Sequence, residues 1–278
     1  VQGKIKTSEG VQKFSFEVAR DTSLSPKFLA MGLAAALSGR INQTHRGILR
    51  LNAAIKSKSF SPVHIRRVYS TERHAKFTTS SAIEVAQYAS VLWSTPFGPP
   101  PDLSIEVDMT IENTPHEEWI EAAYVSNQHP RPGDDLEVIV KLRQVDGPFT
   151  QQKFTLPIPN HWAGKRVVLT ISNAAEAEQV ESLVSGPIVP KTLEDIQRWL
   201  DKRRPQGKIY LLAVRQGVGL QNGVDNFAFL PPSIVATLVN QNDKHLRTKG
   251  IDFETSKTRP GIILGNAVIP IDVQASKR

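Results

Sequence analysis

Between Leu103 and Glu112 the chain alternates without a fault. Leu103, Ile105, Val107, Met109 and Ile111 are apolar, while Ser104, Glu106, Asp108, Thr110 and Glu112 are polar. This two-residue period belongs to a strand with one face in a core and the other in water. A helix would wind the same residues around its axis and gather neither set on one side. The chain must therefore build a sheet with a solvated face, and that face carries three carboxylates along one strand. Just upstream, Pro96 to Pro101 (PFGPPP) can neither continue a helix nor donate into a central sheet, so a domain boundary is expected at 98/99.

Downstream of the prolines, short apolar runs recur: Trp119–Val125, Leu136–Leu142, Phe149–Ile158, and Val167, Leu169 and Ile171. Turn residues separate them, Arg131–Asp134 (RPGD) and the hairpin pair Asp146 and Gly147. Strands at this spacing predict a β-sandwich of immunoglobulin or fibronectin type over 99–175. Five strands fall short of a complete immunoglobulin count, so the remainder must come from neighbouring segments.

The first hundred residues mix periods. Alternation predicts strands over Phe14–Val18, Leu49–Ile55 and Val63–Tyr69. Ser25 followed by Pro26 predicts a helix to about Ser38, and Ser81 with Glu84 predicts a capping box for a helix ending near Trp93. In the last hundred residues, Thr192 and Asp195 cap a predicted amphipathic helix, Ile209–Val214 reads as a buried strand, and Pro231 and Pro232 open a short helix to about Asn240. Val268–Val273 is again extended. The predicted fold class is α+β and β-rich, a central sandwich flanked by mixed strand–helix segments. The expected domains are 1–98, 99–175 and 176–278, the last packing with the first.

Charge is distributed in blocks. Residues 1–100 carry 14 Lys and Arg against 5 Asp and Glu, residues 101–190 carry 6 against 14, and residues 191–278 carry 14 against 8, for a net +7. A basic–acidic–basic layout favours contacts between segments, within one chain or between copies, through complementary fields. Nucleic-acid binders concentrate positive charge on one face, so the acidic middle disfavours that class.

The residue inventory excludes more than it assigns. Without cysteine there can be no disulfide, thiol nucleophile or thiolate metal site. The most apolar stretch, Phe28–Leu37, is half the length needed to cross a bilayer, so no membrane span is expected. Charged, strand-like segments precede it, which argues against a signal peptide. The chain begins at Val1 with no initiator methionine, which suggests a processed or truncated protein. The seven histidines (His45, His64, His74, His116, His129, His161 and His245) lie far apart, and none has metal-ligand spacing. The acidic run His116, Glu117 and Glu118 lacks a second histidine and reads as a solvated loop.

There is no nucleophile elbow of Gly-x-Ser-x-Gly form, although a triad assembled from distant residues is a matter of geometry that spacing does not reveal. Gly217 and Gly219 follow a strand as in a dinucleotide loop, but Gly223 comes one residue late and no helix follows, so a glycine-rich surface loop is expected. Asn42 to Thr44 forms a glycosylation sequon, read as chance. No cofactor, metal or catalytic residue is expected. Arg66, Arg67, Arg73 and Lys76 form a basic run with Tyr69 and Phe77 nearby, and are expected as an interaction patch for phosphates or an acidic surface.

Several phrases together carry a resemblance: GKI with VQKFSFEVARDTSLSP near the start, EWIEAAYVSNQHPRPGDDLEVIVKLR and FTLPIPNHWAGKRVVLTISN in the middle, and TLEDIQRWLDKRRPQGKIYLLAV followed by LPPSIVATL. They resemble the region after the peptidase domain in long bacterial, acidobacterial-type members of the SpoIVB-type serine peptidase family. These are patterns of turns and strands and cover most of the chain. The resemblance implies a secreted or envelope protein and a non-catalytic C-terminal part, since the family's catalytic serine motif has no counterpart here.

The sequence therefore points to a non-catalytic extracytoplasmic module, in the periplasm, at the cell surface or secreted. It is expected to bind a protein partner or copies of itself as a homo-oligomer. The alternative is a hydrolase, a serine peptidase or glycan-active enzyme, whose site is assembled from distant residues.

Overall fold

The computed structural model describes residues 1–278 except 22, 40–46, 71–76, 99, 101, 113–116, 145–146, 186–187, 240–244 and 276–278. In chain order the elements begin with strands β1 (Gln2–Thr7) and β2 (Gly10–Ser15), helix α1 (Ser25–Ser38), strands β3 (Ile48–Ser57) and β4 (Phe60–Ser70), helix α2 (Phe77–Trp93) and strand β5 (Ser104–Glu112). Strands β6 (Glu117–Val125), β7 (Asp135–Gln144), β8 (Phe149–Pro157) and β9 (Arg166–Ser172) come next, then helices α3 (Ala174–Ser185) and α4 (Leu193–Asp201). The chain ends with β10 (Lys208–Asn222), β11 (Asp225–Phe227), α5 (Pro232–Val239), β12 (His245–Thr258), β13 (Ile262–Leu264) and β14 (Ala267–Asp272). The fold is α+β and strand-rich, with three sheets among the described residues.

The elements form two compact units: residues 1–116 with 190–205, and residues 117–189 with 206–278. This differs from the expected boundaries at 98/99 and 175/176. β5, expected to open the sandwich, lies instead inside the first unit's sheet, whose order is β2-β1-β5-β3-β4. Alternation identified the strand but says nothing about which strands flank it. Its partners are β1, in parallel, and β3, antiparallel. The reason is partly electrostatic: Lys4 meets Asp108 at 3.0 Å, Lys56 meets Glu106 at 2.6 Å, and Arg50 meets Glu112 at 2.8 Å. The acidic strand is thus seated among cations from both neighbours.

One face of this sheet is the core. Ile5, Leu51, Ile55, Val63, Ile65, Ile105, Val107 and Met109 are buried against Leu29, Leu33 and Leu37 of α1 and Val85, Ala89 and Leu92 of α2. The four-residue steps of the leucines put them on one stripe of α1. Gly3 is required for close approach, because a Cβ there would lie 2.3 Å from the Phe14 ring and 2.6 Å from the Val107 carbonyl oxygen. Helix α2 starts at Phe77 rather than at Ser81, whose hydroxyl lies within the helix and donates to the Thr78 carbonyl at 3.0 Å. Helix α4 carries the predicted capping box of Thr192 and Asp195 and adds Ile196 and Leu200 to the first unit's core.

In the second unit, a β13-β6-β7-β8 sheet and a sheet of β11-β10-β9-β14, with β12 on β10, share one hydrophobic core. Val138, Val140, Leu142, Phe154 and Leu156 come from the first of these, and Leu169, Ile171, Leu211, Ile269 and Ile271 from the second. The strands beyond β9 come from the C-terminal hundred residues, so the unit's two sheets are drawn from residues 117–189 and 206–278. Helix α3, whose Ala- and Glu-rich sequence has no sharp apolar stripe, packs Ala174 and Ala177 on Tyr210 and Leu212. Ile209 to Ala213 are therefore buried without alternation, as expected for a strand covered on both faces. The RPGD turn forms as expected, with Gly133 at φ +88° and the Arg131 amide donating to Asp134 Oδ2 at 2.8 Å. The hairpin between β7 and β8 is present, but Asp146 lies outside the described residues. Among the described residues no helix is long and apolar enough to cross a membrane.

Candidate functional site

The face of the first sheet opposite α1 and α2 presents every second residue to water. Registers across five strands put Lys13, Lys4, Asp108, Asn52 and Arg66 in one row, and Ser15, Gln2, Glu106, Ala54 and His64 in the next. Two adjoining hollows lie on this face, of about 620 Å³ and about 370 Å³. Glu106 and Asp108 line both, Lys13 the first, His64 and Arg66 the second.

The charges here are unequally matched. The Lys4–Asp108 and Lys56–Glu106 pairs are about half exposed, so each contributes at most about 1 kcal/mol and weakens in salt. Lys6 and Lys13 on one flank and Arg66 on the other have no carboxylate partner among the described residues. The imbalance extends to the whole unit. The first unit carries 19 Lys and Arg against 12 Asp and Glu, which is the entire net charge of the chain; the second carries 15 against 15. The basic–acidic–basic layout is therefore resolved by β5 and the 190–205 segment joining the N-terminal strands.

The expected interaction patch does not stay together. Arg66 and Arg67 are consecutive on β4 and so point to opposite faces. Arg66 lines the open face, whereas Arg67 is 5% exposed inside the unit, a correction to its expected role. Arg67 Nε donates to Glu84 Oε1 at 2.5 Å and its Nη2 to the Tyr88 hydroxyl at 2.8 Å. The Tyr69 hydroxyl donates to the other Glu84 oxygen at 2.5 Å. Burial, reinforced by the Glu84 charge, pushes the Tyr69 hydroxyl far above the usual phenol range. Arg67 is thus a structural tie between β4 and α2. Arg73 and Lys76 lie outside the described residues, as do His45, His74, His116 and the sequon at 42–44.

A second cluster, in the other unit, escaped the reading of the sequence. Asp252 Oδ2 accepts from His161 Nε2 at 2.7 Å, from Trp162 Nε1 at 2.5 Å and from Arg215 Nε. Burial alone would raise the Asp252 carboxyl, but the hydrogen bonds from Arg215, Trp162 and His161 outweigh it and hold the group below the usual carboxylate range. Arg215 also stacks on Phe229, 3.6 Å from its ring centroid. Phe229 sits at φ +59°, and Gly217 makes room for it, since a Cβ there would lie 2.3 Å from the ring. Gly217 and Gly219 therefore lie within β10, not in a surface loop as expected. They let Phe229 and the Phe227 backbone come close.

The imidazole of His161 is half exposed and oriented by a carboxylate, two parts of a general-base arrangement. Among the described residues, however, no hydroxyl hydrogen-bonds it. Nor do three or more His, Asp or Glu side chains gather into a metal-holding group among those residues. No family model matches the chain, and neither do curated proteins or solved structures.

Proposed function

We propose that this chain is a non-catalytic binding module that holds a protein surface against the open face of its first sheet. The observation that carries this reading is the segregation of charge: the net +7 falls wholly in the first unit, and Lys6, Lys13 and Arg66, along both flanks of the face, have no carboxylate partner among the described residues. Such a face attracts an acidic surface and speeds its approach in low salt. An acidic stripe flanked by cations is also self-complementary when a second copy is displaced by one strand, which supports homo-oligomerisation as one form of the binding. The resemblance to the region behind a bacterial peptidase domain supports an extracytoplasmic location.

Light scattering of the full chain across salt concentrations tests the self-association. Association that weakens with salt, and disappears in the Lys13→Glu, Arg66→Glu double variant, is the expected result. A monomer at every salt and protein concentration removes self-assembly and leaves only a foreign partner. A second reading, a hydrolase, draws on the His161–Asp252 pair alone. It requires a hydroxyl nucleophile brought to His161, and hydrolysis of peptide or glycan substrates that His161→Ala abolishes.

A further inference from the structure

The two edges of the first unit's sheet are treated differently. At the β4 edge the His64 amide donates to Asp201 Oδ1 of α4 at 3.1 Å, and the Arg204 carbonyl receives Arg67, so helix and following turn cover the strand. Among the described residues the β2 edge has no such cover. The Val1 ammonium donates to the Phe16 carbonyl at 2.9 Å and the Phe16 amide donates back to Val1 at 3.0 Å, which makes Val1 and Phe16 a bonded pair of the antiparallel ladder. Bonded pairs recur every second residue, so Phe14, Gln12 and Gly10 bond inward to β1. The amides and carbonyls of Val11, Lys13 and Ser15 therefore point outward, along an edge beyond which no strand lies among the described residues.

Their side chains share the open face with the larger hollow, which Lys13 and Ser15 line. Val11 is 56% exposed, and Lys13 has no carboxylate partner among the described residues. Uncovered edges of this kind are templates for strand addition. From these observations we infer that β2 receives an extended acidic segment of a partner protein as a sixth strand. Cross-strand neighbours then set its chemistry: a carboxylate beside Lys13 and, two residues away on the same face, an apolar side chain beside Val11. This inference rests on the binding-module reading and names the partner's contact segment.

The test uses the full chain and a fluorescent synthetic peptide, Ser-Thr-Val-Thr-Glu-Thr-Val-Thr-Ser. Its palindromic sequence offers the acidic and apolar side chains in either strand direction. Saturable binding is expected, with the lysine-for-glutamate peptide weaker by about tenfold or more. Val11→Pro removes an outward donor without touching the ladder to β1, and should weaken binding by about tenfold relative to Val11→Ala. Amide exchange on the wild-type chain gives an independent readout. Bound peptide should slow exchange at Lys13 and Ser15, and at Val11 in the wild type, while Gln12 and Phe14 are already bonded and change little. Peptide binding that Val11→Pro and amide exchange both ignore, but that charge reversal of Lys13 and Arg66 removes, overturns strand addition and leaves face binding standing. No binding, together with no salt-sensitive association, overturns both.

Discussion

The two units solve the same problem, covering a sheet, in different ways. The first shields one face with α1 and α2 and leaves the other wet, laced with ion pairs and with cations that have no carboxylate partner among the described residues. The second packs two sheets on a common core and lays α3 on the remaining face of one of them, with its charges in balance. A sheet face left in water must still be occupied by something, and here long charged side chains occupy it. The comparison separates roles: the second unit buries both faces of its longest strand over Ile209–Ala213, while the first keeps one sheet face available for another surface.

Substitutions sharpen that contrast. The largest loss is expected in the doubly covered core: Phe154→Ala should destabilise the protein by about 3–5 kcal/mol in urea unfolding, because Phe154 is 2% exposed between the sheets. Glu84→Ala should lose about 3 kcal/mol, since it strands the buried Arg67 guanidinium and the Tyr69 hydroxyl together. If Glu84→Ala is neutral, the polar tie in the first unit has been misjudged.

Asp252→Asn should cost about 1–3 kcal/mol at neutral pH. The Asp252 pKa is depressed in the folded state, so its contribution is complete above the unfolded value of about 4 and fades as pH falls through the folded one. Wild type and variant should therefore converge on acidification; a gap that widens in acid contradicts the assigned direction. The smallest effect belongs to the open face. Lys56→Ala should change stability by less than about 1 kcal/mol, and less still in high salt, because its pair with Glu106 is exposed.

Much of the strand content was legible because alternation reports a half-buried face directly, as at Ile105–Ile111 and at Leu49–Ile55. The Thr192–Asp195 box was legible because capping is local in sequence. What alternation cannot convey is pairing. β5 joined the lysine-bearing β1 and β3 rather than the strands that follow it, and the charge blocks were the signal that could have suggested this. The Arg66–Arg67 patch ignored the two-residue period that had itself identified β4, and that period separates the two side chains. Helix α3 has too weak a stripe to announce itself. The Asp252 cluster joins residues 91 and 37 positions apart, and no spacing rule reaches across such distances.

The central claim is that Lys6, Lys13 and Arg66 on the first unit's open face hold an acidic surface. Titrating poly-L-glutamate into the wild-type chain and into a Lys6→Glu, Lys13→Glu, Arg66→Glu variant tests it most directly. The account predicts binding that weakens steadily with salt and is lost in the variant, whose folding is unaltered because all three side chains are solvent-facing. Equal affinity of the two proteins at low salt would contradict it.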